Sequence, residues 1–291
     1  MNLREAVREG TARLKKAGVP EAELDAWYLL EWAAGVSRSH YLAYPEEKLT
    51  KEQESRFLEA LARRAQRVPL QHITGEQEFM GLSFLVNEEV LIPRQDTEIL
   101  VEEALKYLKP DMRFLDLCTG SGCILLSLLH YCPGAKGVGS DLSFGALKTA
   151  EKNRERLGLC AELKESDLFE KIEGRFDMIV SNPPYIPSEA IAGLMEEVRM
   201  HEPLMALDGH EDGLYFYRRI AKTSPRYLKE GGWLCLEIGF DQGESVPALL
   251  RDEGFDEIEV IRDLAGLDRV VKARMNRCQA AVPGGLLFAA R

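Results

Sequence analysis

Long apolar runs and cysteine pairs are both missing from this sequence. No apolar stretch approaches the roughly 18 to 20 residues that span a bilayer. The six cysteines form no CxxC pair and no Cys/His zinc pattern, which predicts reduced thiols in a cytosolic protein and no metal site. The first residues, MNLREAVREG, are charged and helical in pattern, so we expect no secretory signal peptide.

Basic residues are also few relative to acidic ones. The 37 Lys and Arg residues stand against 48 Asp and Glu residues, for a net charge of −11. Residues 1–75 are nearly neutral, so the negative excess falls on residues 76–291. Because phosphate neutralisation supplies most of the affinity of duplex-binding proteins, we expect no direct nucleic-acid partner. We expect no membrane partner either.

Helical periodicity runs through the first 75 residues. The segments LREAVREGTARLKKAG, AELDAWYLLEWAAG and KEQESRFLEALARRAQR place apolar residues at three- and four-residue spacings. We therefore predict a small bundle of about four helices over residues 1–75. Residues 76–92 alternate around Gly81, which predicts a β-hairpin linker. Asp96 is the predicted N-cap of a helix that runs to about Leu108.

From Met112 onward, strand-like and helix-like segments alternate. The seven strand-like segments are RFLDLC, GVGSD, a short one near Ala161, DMIVSN, WLCLEIG, EIEVIRD and RVVKAR. This order predicts an α/β domain over residues 93–274, with a doubly wound, mostly parallel sheet. The last two strands are expected to form an antiparallel edge. The tail, residues 275–291, has no clear period and stays unassigned.

A glycine-rich segment, DLCTGSGC (116–123), follows the first of these strands. It lacks the lysine of a P-loop, and Leu125 replaces the third glycine of a dinucleotide fingerprint. The pattern left is the acidic-x-G-x-G-x-G loop of S-adenosylmethionine-dependent methyltransferases, in which Cys118 replaces the first glycine and argues against a left-handed backbone there. Asp141, ending the next strand, is then a candidate for the ribose hydroxyls, and Asp167 for the adenine edge.

SNPPYI (181–186) ends a strand-like segment with two prolines. Pro183 forces Asn182 toward an extended conformation, and Pro184 restricts Pro183 in turn. The Asn182 side-chain oxygen and the Pro183 carbonyl would be two stiff acceptors for a planar NH2 group, with Tyr185 as a flat apolar surface. Holding both N–H groups aims the nitrogen lone pair at a methyl donor, so the motif favours methylation of an amide or of adenine.

Further segments in this order resemble the release factor glutamine methyltransferase family (PrmC/HemK). They are LIPRQDTE (91–98), HEPLMALDG (201–209), DGLYFYR (212–218), EIGFDQG (237–243) and DLAGLDR (263–269). The likeness covers about residues 1–274. It implies a Rossmann-like methyltransferase sheet, S-adenosylmethionine as cofactor, and methyl transfer to the side-chain amide nitrogen (N5) of the GGQ glutamine in peptide chain release factors. We also expect a cytoplasmic monomer.

The same resemblance implies site residues, carried over position by position. Those expected to bind and shape the acceptor are Asn182, Pro183, Pro184 and Tyr185. Those expected to bind the cofactor are Arg94, Thr119, Gly120, Ser121, Gly122, Cys123, Asp141, Asp167, Leu168 and Asn182. Glu202 and Glu237 are expected to be structural, and residues 1–75 to dock the release factor.

Three alternatives stay open at this point. An adenine-N6 methyltransferase of DNA or RNA would use the same NPPY sequence, but it needs a base-flipping pocket and a basic channel. A non-enzymatic S-adenosylmethionine-binding regulator is disfavoured by the intact NPPY. A protein-interaction module formed by residues 1–75 alone leaves the later motifs unexplained.

Overall fold

The computed structural model describes residues 1–276, which divide into two compact units. The first unit comprises Met1–Gln77, Val86–Glu88 and Gly193–Glu202, and the second comprises Glu78–Leu85, Glu89–Ala192 and the chain from Pro203 onward. The unassigned tail lies outside the described residues from residue 277 onward. Within residues 1–276, no helix combines the length and the hydrophobicity needed to cross a membrane.

The first unit is helical. Its N-terminal helices are α1 (Leu3–Lys16), α2 (Ala22–Ala34), α3 (Arg38–Ala43), α4 (Lys51–Ala65) and α5 (Leu70–Thr74). Capping boxes begin α1 and α4, where the side chains of Asn2 and Thr50 accept hydrogen bonds from backbone N–H groups. The predicted helical bundle is confirmed, with five N-terminal helices instead of about four, because α3 and α5 are too short to show a period.

The second unit contains a hairpin, a large sheet and its covering helices. The hairpin strands are β1 (Glu76–Phe79), which begins within the first unit, and β2 (Leu82–Leu85). The sheet strands are β3 (Arg113–Leu117), β4 (Lys136–Asp141), β5 (Ala161–Glu165), β6 (Phe176–Ser181), β7 (Leu228–Glu237), β8 (Phe255–Arg262) and β9 (Asp268–Met275). The helices are α6 (Gln95–Leu105), α7 (Cys123–Tyr131), α8 (Phe144–Leu157), α10 (Tyr215–Thr223) and α11 (Ser245–Asp252), while α9 (Glu196–His201) belongs to the first unit.

The seven-stranded sheet has the order β5-β4-β3-β6-β7-β9-β8. Neighbours from β5 to β7 pair in parallel, and β9 pairs antiparallel with both β7 and β8. This confirms the predicted doubly wound, mostly parallel α/β fold. The strand order reverses between β3 and β6, which is the switch point where ligands bind at the carboxyl ends of such sheets.

Successive side chains on the central strands pack alternately into two hydrophobic cores, one on each face of the sheet. On β3, Phe114 packs in one core, while Leu115 and Leu117 pack in the other. Helices α6 and α7 contribute to the core that contains Phe114, and α10 and α11 contribute to the opposite one. Because helices cover both faces of the sheet, side chains on both faces of the central strands are apolar. The sequences of these strands are therefore nearly continuous apolar runs.

The predicted start of α6 is wrong. The helix begins at Gln95, its N-cap is Arg94 with an extended backbone, and Asp96 lies in the first turn. The Asp96 carboxylate instead pairs with Arg269 of β9 at 3.3 Å, and a first-turn acid is also favoured by the helix dipole. A tertiary ion pair therefore competes with the local cap that the sequence pattern suggested. The helix ends at Leu105, before the predicted Leu108.

Segment Gly193–Glu202, which the sequence prediction included in residues 93–274, belongs to the helical unit. Its Glu197 is 7% exposed and accepts a hydrogen bond from Arg64 at 3.0 Å, while Arg64 also donates to Asp25 at 2.6 Å. Burial raises the pKa of Glu197, but hydrogen bonding from Arg67 and Arg64 outweighs it and lowers that pKa overall. Buried charges thus tie a late segment of the chain to α2 and α4.

Replacing Arg64 by Met should destabilise the helical unit strongly. The change leaves buried carboxylates without their cation, which typically costs about 3 to 5 kcal/mol. Arg4→Met is the matched control, because Arg4 pairs with Glu46 where both side chains are exposed, and such pairs contribute about 1 kcal/mol or less. Denaturant titration followed by tryptophan fluorescence measures both variants, with Trp27 and Trp32 in the helical unit and Trp233 in β7. Equal losses in the two variants would contradict the role of the buried cluster.

Candidate functional site

The central strands end at the same level. In the register of β3, β4, β6 and β7, Leu117 lies opposite both Ser140 and Ser181, and Ser181 lies opposite Leu236. The Ser181 hydroxyl also donates to the Leu117 carbonyl at 2.8 Å. The residues that follow this row are Cys118, Asp141, Asn182 and Glu237. Three separate sequence motifs are therefore brought to one edge of the sheet.

A cavity of about 530 Å³ opens at this edge. Most of the predicted site residues line it: Arg94, Thr119, Gly120, Ser121, Cys123, Asp141, Asp167, Leu168, Asn182 and Pro184. Gly122, Pro183 and Tyr185 are not among its lining residues. The volume falls within the range of roughly 300 to 1,000 Å³ that is typical of small-molecule sites.

The loop between β3 and α7 has an alternating backbone. Cys118, Gly120 and Gly122 have φ angles of 57°, 55° and 80°. The expectation that Cys118 avoids the left-handed region is wrong: the loop keeps the glycine-type geometry at a cost of roughly 1 to 2 kcal/mol for a residue with a Cβ. The chain has to turn sharply between a strand and a helix that both pack in the core. Loops of this kind expose backbone N–H groups at the start of a helix.

Asp141 holds this loop and the next helix together. Its Oδ2 accepts from the Gly120 N–H and its Oδ1 from the Ser143 N–H, both at 2.9 Å. Burial raises the pKa of Asp141, and these backbone hydrogen bonds oppose the rise. The carboxylate therefore supports the glycine loop while its remaining lone pairs line the cavity.

The loop after β5 forms another wall of the cavity. The Ser166 N–H donates to the Asp141 carbonyl at 2.9 Å, which ties this loop to the end of β4. Asp167 pairs with Arg219 at 2.9 Å, with about a third of each side chain exposed. Leu168 is buried and has a φ of 48°. Asp167 and Leu168 thus lie beside Asp141, as the motif order predicts.

The NPPY segment leaves β6 and enters this edge directly. Asn182 Nδ2 donates to Thr97 Oγ1 at 3.3 Å. Pro183 is buried, and the Tyr185 hydroxyl lies 3.5 Å from Glu237 Oε1. Sheet-like hydrogen bonding resumes at Ile186, whose N–H donates to the Leu207 carbonyl at 3.1 Å. The two prolines therefore carry the chain past the cavity.

Several lining residues were not predicted. The 3-10 helix Leu204–Ala206 forms part of the wall, together with Thr97, His210 and Phe216. Leu204 and Met205 are about half exposed, at 59% and 49%, so they form an apolar rim. Periodicity could not identify Leu204 and Met205, because a three-residue 3-10 helix is too short to show a period. The only signal was their place inside HEPLMALDG and the neighbouring motifs.

The donor set of the cavity suits an organic ligand. The Ser121 hydroxyl is buried against the cavity and has no hydrogen-bond partner among residues 1–276. Such an orphaned polar atom, in one cavity with the Asp141 carboxylate, fits a ligand with several hydrogen-bonding groups. In the part of the chain that the structure describes, no His, Cys, Asp and Glu group is arranged to hold a metal ion.

Two family models match the chain. The "PrmC N-terminal domain" matches residues 5–75, and the "Methyltransferase small domain" matches residues 95–198. The chain is 44% identical to a release factor glutamine methyltransferase from Agrobacterium fabrum over 270 residues, which cover 90% of this chain and 93% of the relative. It is 45% identical to one from Moorella thermoacetica over 275 residues, covering 92% and 97%.

The fold also resembles a solved methyltransferase from Pyrococcus furiosus. The TM-score is 0.54 at 15% identity, covering 74% of this chain and 99% of that one. At this identity the likeness concerns the fold alone. The two relatives confirm the resemblance that the motifs indicated.

Asp116 lies buried beneath the glycine loop. It is 0% exposed, and the Thr119 hydroxyl donates to its Oδ2 at 2.6 Å. Its Oδ1 has no hydrogen-bond partner in residues 1–276. Burial raises the pKa of Asp116 to about 7, against the opposing effect of Thr119.

Asp116→Asn should therefore change how stability depends on pH. The folded wild type holds a proton that the unfolded chain releases near pH 4, so its stability falls between about pH 4 and pH 7 and the penalty is constant above. The neutral variant avoids this penalty. Between pH 4 and pH 8 the stability difference should shift in its favour by on the order of 2 to 4 kcal/mol. Denaturant titration at several pH values measures this, with exposed Asp252→Asn as control; parallel curves for Asp116→Asn and the wild type would refute it.

Proposed function

The chain belongs to the release factor glutamine methyltransferase family, and we propose that it methylates the side-chain amide nitrogen (N5) of the GGQ glutamine in peptide chain release factors. The observation that carries this proposal is the Asn182 amide, which lies in one cavity with the glycine loop. A methyl donor and a planar amide could thus meet at the carboxyl edge of the sheet. Because release factors act in translation, we propose that the reaction takes place in the cytoplasm.

S-adenosylmethionine is the proposed cofactor. When bound, it supplies a methyl group on a positively charged sulfonium. The residues that would hold it are those of the glycine loop, Asp141 and the Asp167–Leu168 pair, with Arg94 near the mouth. In support, the Ser121 hydroxyl offers a donor, and Asp141 offers carboxylate lone pairs at the cavity wall.

The acceptor would be held by stiff hydrogen-bond acceptors. Asn182 Oδ1 and the Pro183 carbonyl would take the two N–H groups of the glutamine amide, with Pro184 and Tyr185 shaping its slot. This holds the amide nitrogen with its lone pair available, and fixed dipoles face the positive charge that develops there. A strong base is not required, because the proton can leave after the methyl group has been transferred.

Residues 1–75 are the proposed docking domain for the release factor, followed by the hairpin linker (76–92) and the methyltransferase domain (93–274). Leu42 and Tyr44 are 69% and 60% exposed near the end of α3, which gives this domain apolar surface for a protein partner. Its nearly neutral charge also suits a protein better than a nucleic acid. The protein is proposed to act as a monomer.

The adenine-N6 alternative is not favoured, because the curated relatives are named for release factor glutamine. Incubation with labelled S-adenosylmethionine, in parallel with purified release factor, DNA and RNA, separates the two activities. We expect label in the release factor, and no label after its GGQ glutamine is changed to Ala. Label found only in nucleic acid would refute the proposal.

Asn182→Ala should lower methyl transfer without removing cofactor binding. Losing one oriented hydrogen-bonding group at a reacting centre costs roughly 10²-fold or more in kcat. Calorimetry with S-adenosylhomocysteine should give nearly unchanged affinity. Asn276→Ala, outside the cavity, is the control and should keep wild-type turnover. Wild-type turnover in Asn182→Ala would remove Asn182 from the mechanism.

A further inference from the structure

The backbone carbonyl of Tyr185, at the end of NPPY, is held by the side chain of Gln242. This glutamine lies between β7 and α11 in EIGFDQG and is 5% exposed. Its Nε2 donates to the carbonyls of Tyr185 and Gly213, both at 3.2 Å. Its Oε1 accepts a hydrogen bond from the Gly239 N–H at 2.9 Å. One buried side chain thus joins NPPY to two other segments of the second unit.

The partners of Gln242 fix the orientation of its amide. A backbone carbonyl can only accept a hydrogen bond, and a backbone N–H can only donate one. The NH2 group must therefore face the Tyr185 and Gly213 carbonyls, while the oxygen faces the Gly239 N–H. A reversed amide would lose all three hydrogen bonds. The position of the Tyr185 carbonyl is consequently tied to a side chain that has a single favourable orientation.

Two glycines allow neighbouring backbone to approach Tyr185 closely. At Gly209, which ends HEPLMALDG, a Cβ atom would lie 2.8 Å from both the Cα and the carbonyl carbon of Tyr185. At Gly213, in DGLYFYR, a Cβ atom would overlap the Tyr185 carbonyl oxygen and lie 2.8 Å from Gln242 Nε2. The space that a side chain would need is therefore taken by the Tyr185 carbonyl and its hydrogen bond.

The peptide group between Tyr185 and Ile186 is bonded on both sides. Its N–H, which belongs to Ile186, donates to the Leu207 carbonyl at 3.1 Å, and its carbonyl accepts from Gln242. Two opposed hydrogen bonds fix the plane of a peptide, whereas one leaves it free to tilt. Without the Gln242 amide, the carbonyl side of this peptide would lose that donor.

The fixed peptide anchors one end of the segment that would hold the acceptor. At the other end, Ser181 pairs in register with both neighbouring strands, β3 and β7. Between the two ends, Pro183 and Pro184 have no N–H that could bond the segment to its surroundings. Their fixed φ angles also make it stiff. A displacement of Tyr185 is therefore passed on to the Pro183 carbonyl.

We propose that Gln242, with the space left by Gly209 and Gly213, is a positioning residue that sets where NPPY presents its acceptors to the substrate amide. This inference rests on the proposed function. None of the three residues is among those that line the cavity, so they act through Tyr185 and not by touching the substrate. It also gives three motifs outside the cofactor loop a common effect on turnover.

Gln242→Met tests the hydrogen bond. Methionine has a similar length but no donor, so the Tyr185 carbonyl loses its partner. With purified release factor, kcat should fall about 10- to 100-fold, the scale of a displacement of about 1 Å at a reacting group. The affinity for S-adenosylhomocysteine, measured by calorimetry, should stay close to wild type, because the hydrogen bonds of the Gln242 side chain go to no proposed cofactor residue.

Asn153→Leu is the matched control, because Asn153 is also a buried amide bonded only to main-chain partners. Its Nδ2 donates to the carbonyls of Leu85 and Ser121 at 3.0 and 2.9 Å, and its Oδ1 accepts from the Leu85 N–H at 2.7 Å. Ser121 belongs to the glycine loop, so this variant should weaken S-adenosylhomocysteine binding. Wild-type kcat in Gln242→Met, or a loss of cofactor affinity as large as its loss of kcat, would overturn the inference.

Gly209→Ala displaces Tyr185 while keeping every hydrogen-bonding group. The added Cβ has to push the Tyr185 backbone away, so kcat should fall with cofactor affinity retained, as in Gln242→Met. Gly193→Ala is the control and should keep wild-type kcat, because a Cβ at Gly193 would meet no atom within 4 Å in the described part of the chain. Equal kcat values in the two alanine variants would contradict the role of the close approach to Tyr185.

The proposed function and the positioning role fail separately. Label found in release factor, DNA or RNA with the wild-type enzyme tests the function alone. The kcat of each variant relative to wild type, measured on whichever acceptor takes the label, tests the positioning role. This holds for either acceptor, since a glutamine amide and an adenine both present an NH2 group to NPPY.

Discussion

The in-register pairing of the parallel strands is the constraint on which the site depends. Because the carboxyl ends of β3, β4, β6 and β7 lie in one row, the residue after each strand reaches the same edge. A slip of one residue would turn each side chain to the other face of the sheet. The two cores hold the register from both faces. The glycine loop and EIGFDQG, more than a hundred residues apart, therefore reach the same edge.

Bringing these strand ends together buries two acidic side chains, which is unfavourable by itself. Asp116 and Glu237 lie on neighbouring parts of the edge, and burial raises both pKa values to about 7. Asp116 accepts a hydrogen bond from the Thr119 hydroxyl under the glycine loop, and Glu237 Oε1 lies 3.5 Å from the Tyr185 hydroxyl. Cys118 adds backbone strain in the same loop. Buried carboxylates and a strained backbone both cost stability. Such features are expected to cluster at functional sites, where the rest of the fold compensates for that cost.

The prolines and Thr97 fix different degrees of freedom of the acceptor site. Pro183 and Pro184 restrict the backbone, so the direction of the Pro183 carbonyl follows from local geometry. The amide of Asn182 still rotates about its own bonds, and no neighbour in sequence can set it. Thr97, 85 residues earlier, supplies that restraint.

The sequence by itself determined the helical and α/β units, the strand ends and the motif order, because these depend on short-range periodicity and turn chemistry. Where long-range contacts compete with local preference, the prediction from the sequence was wrong or no prediction was made. Asp96 pairs with Arg269 instead of capping α6, and Gly193–Glu202 joins the helical unit. Only the tertiary structure decided that Thr97 contacts the Asn182 amide, since hydrogen-bond partners far apart in sequence are brought together by folding.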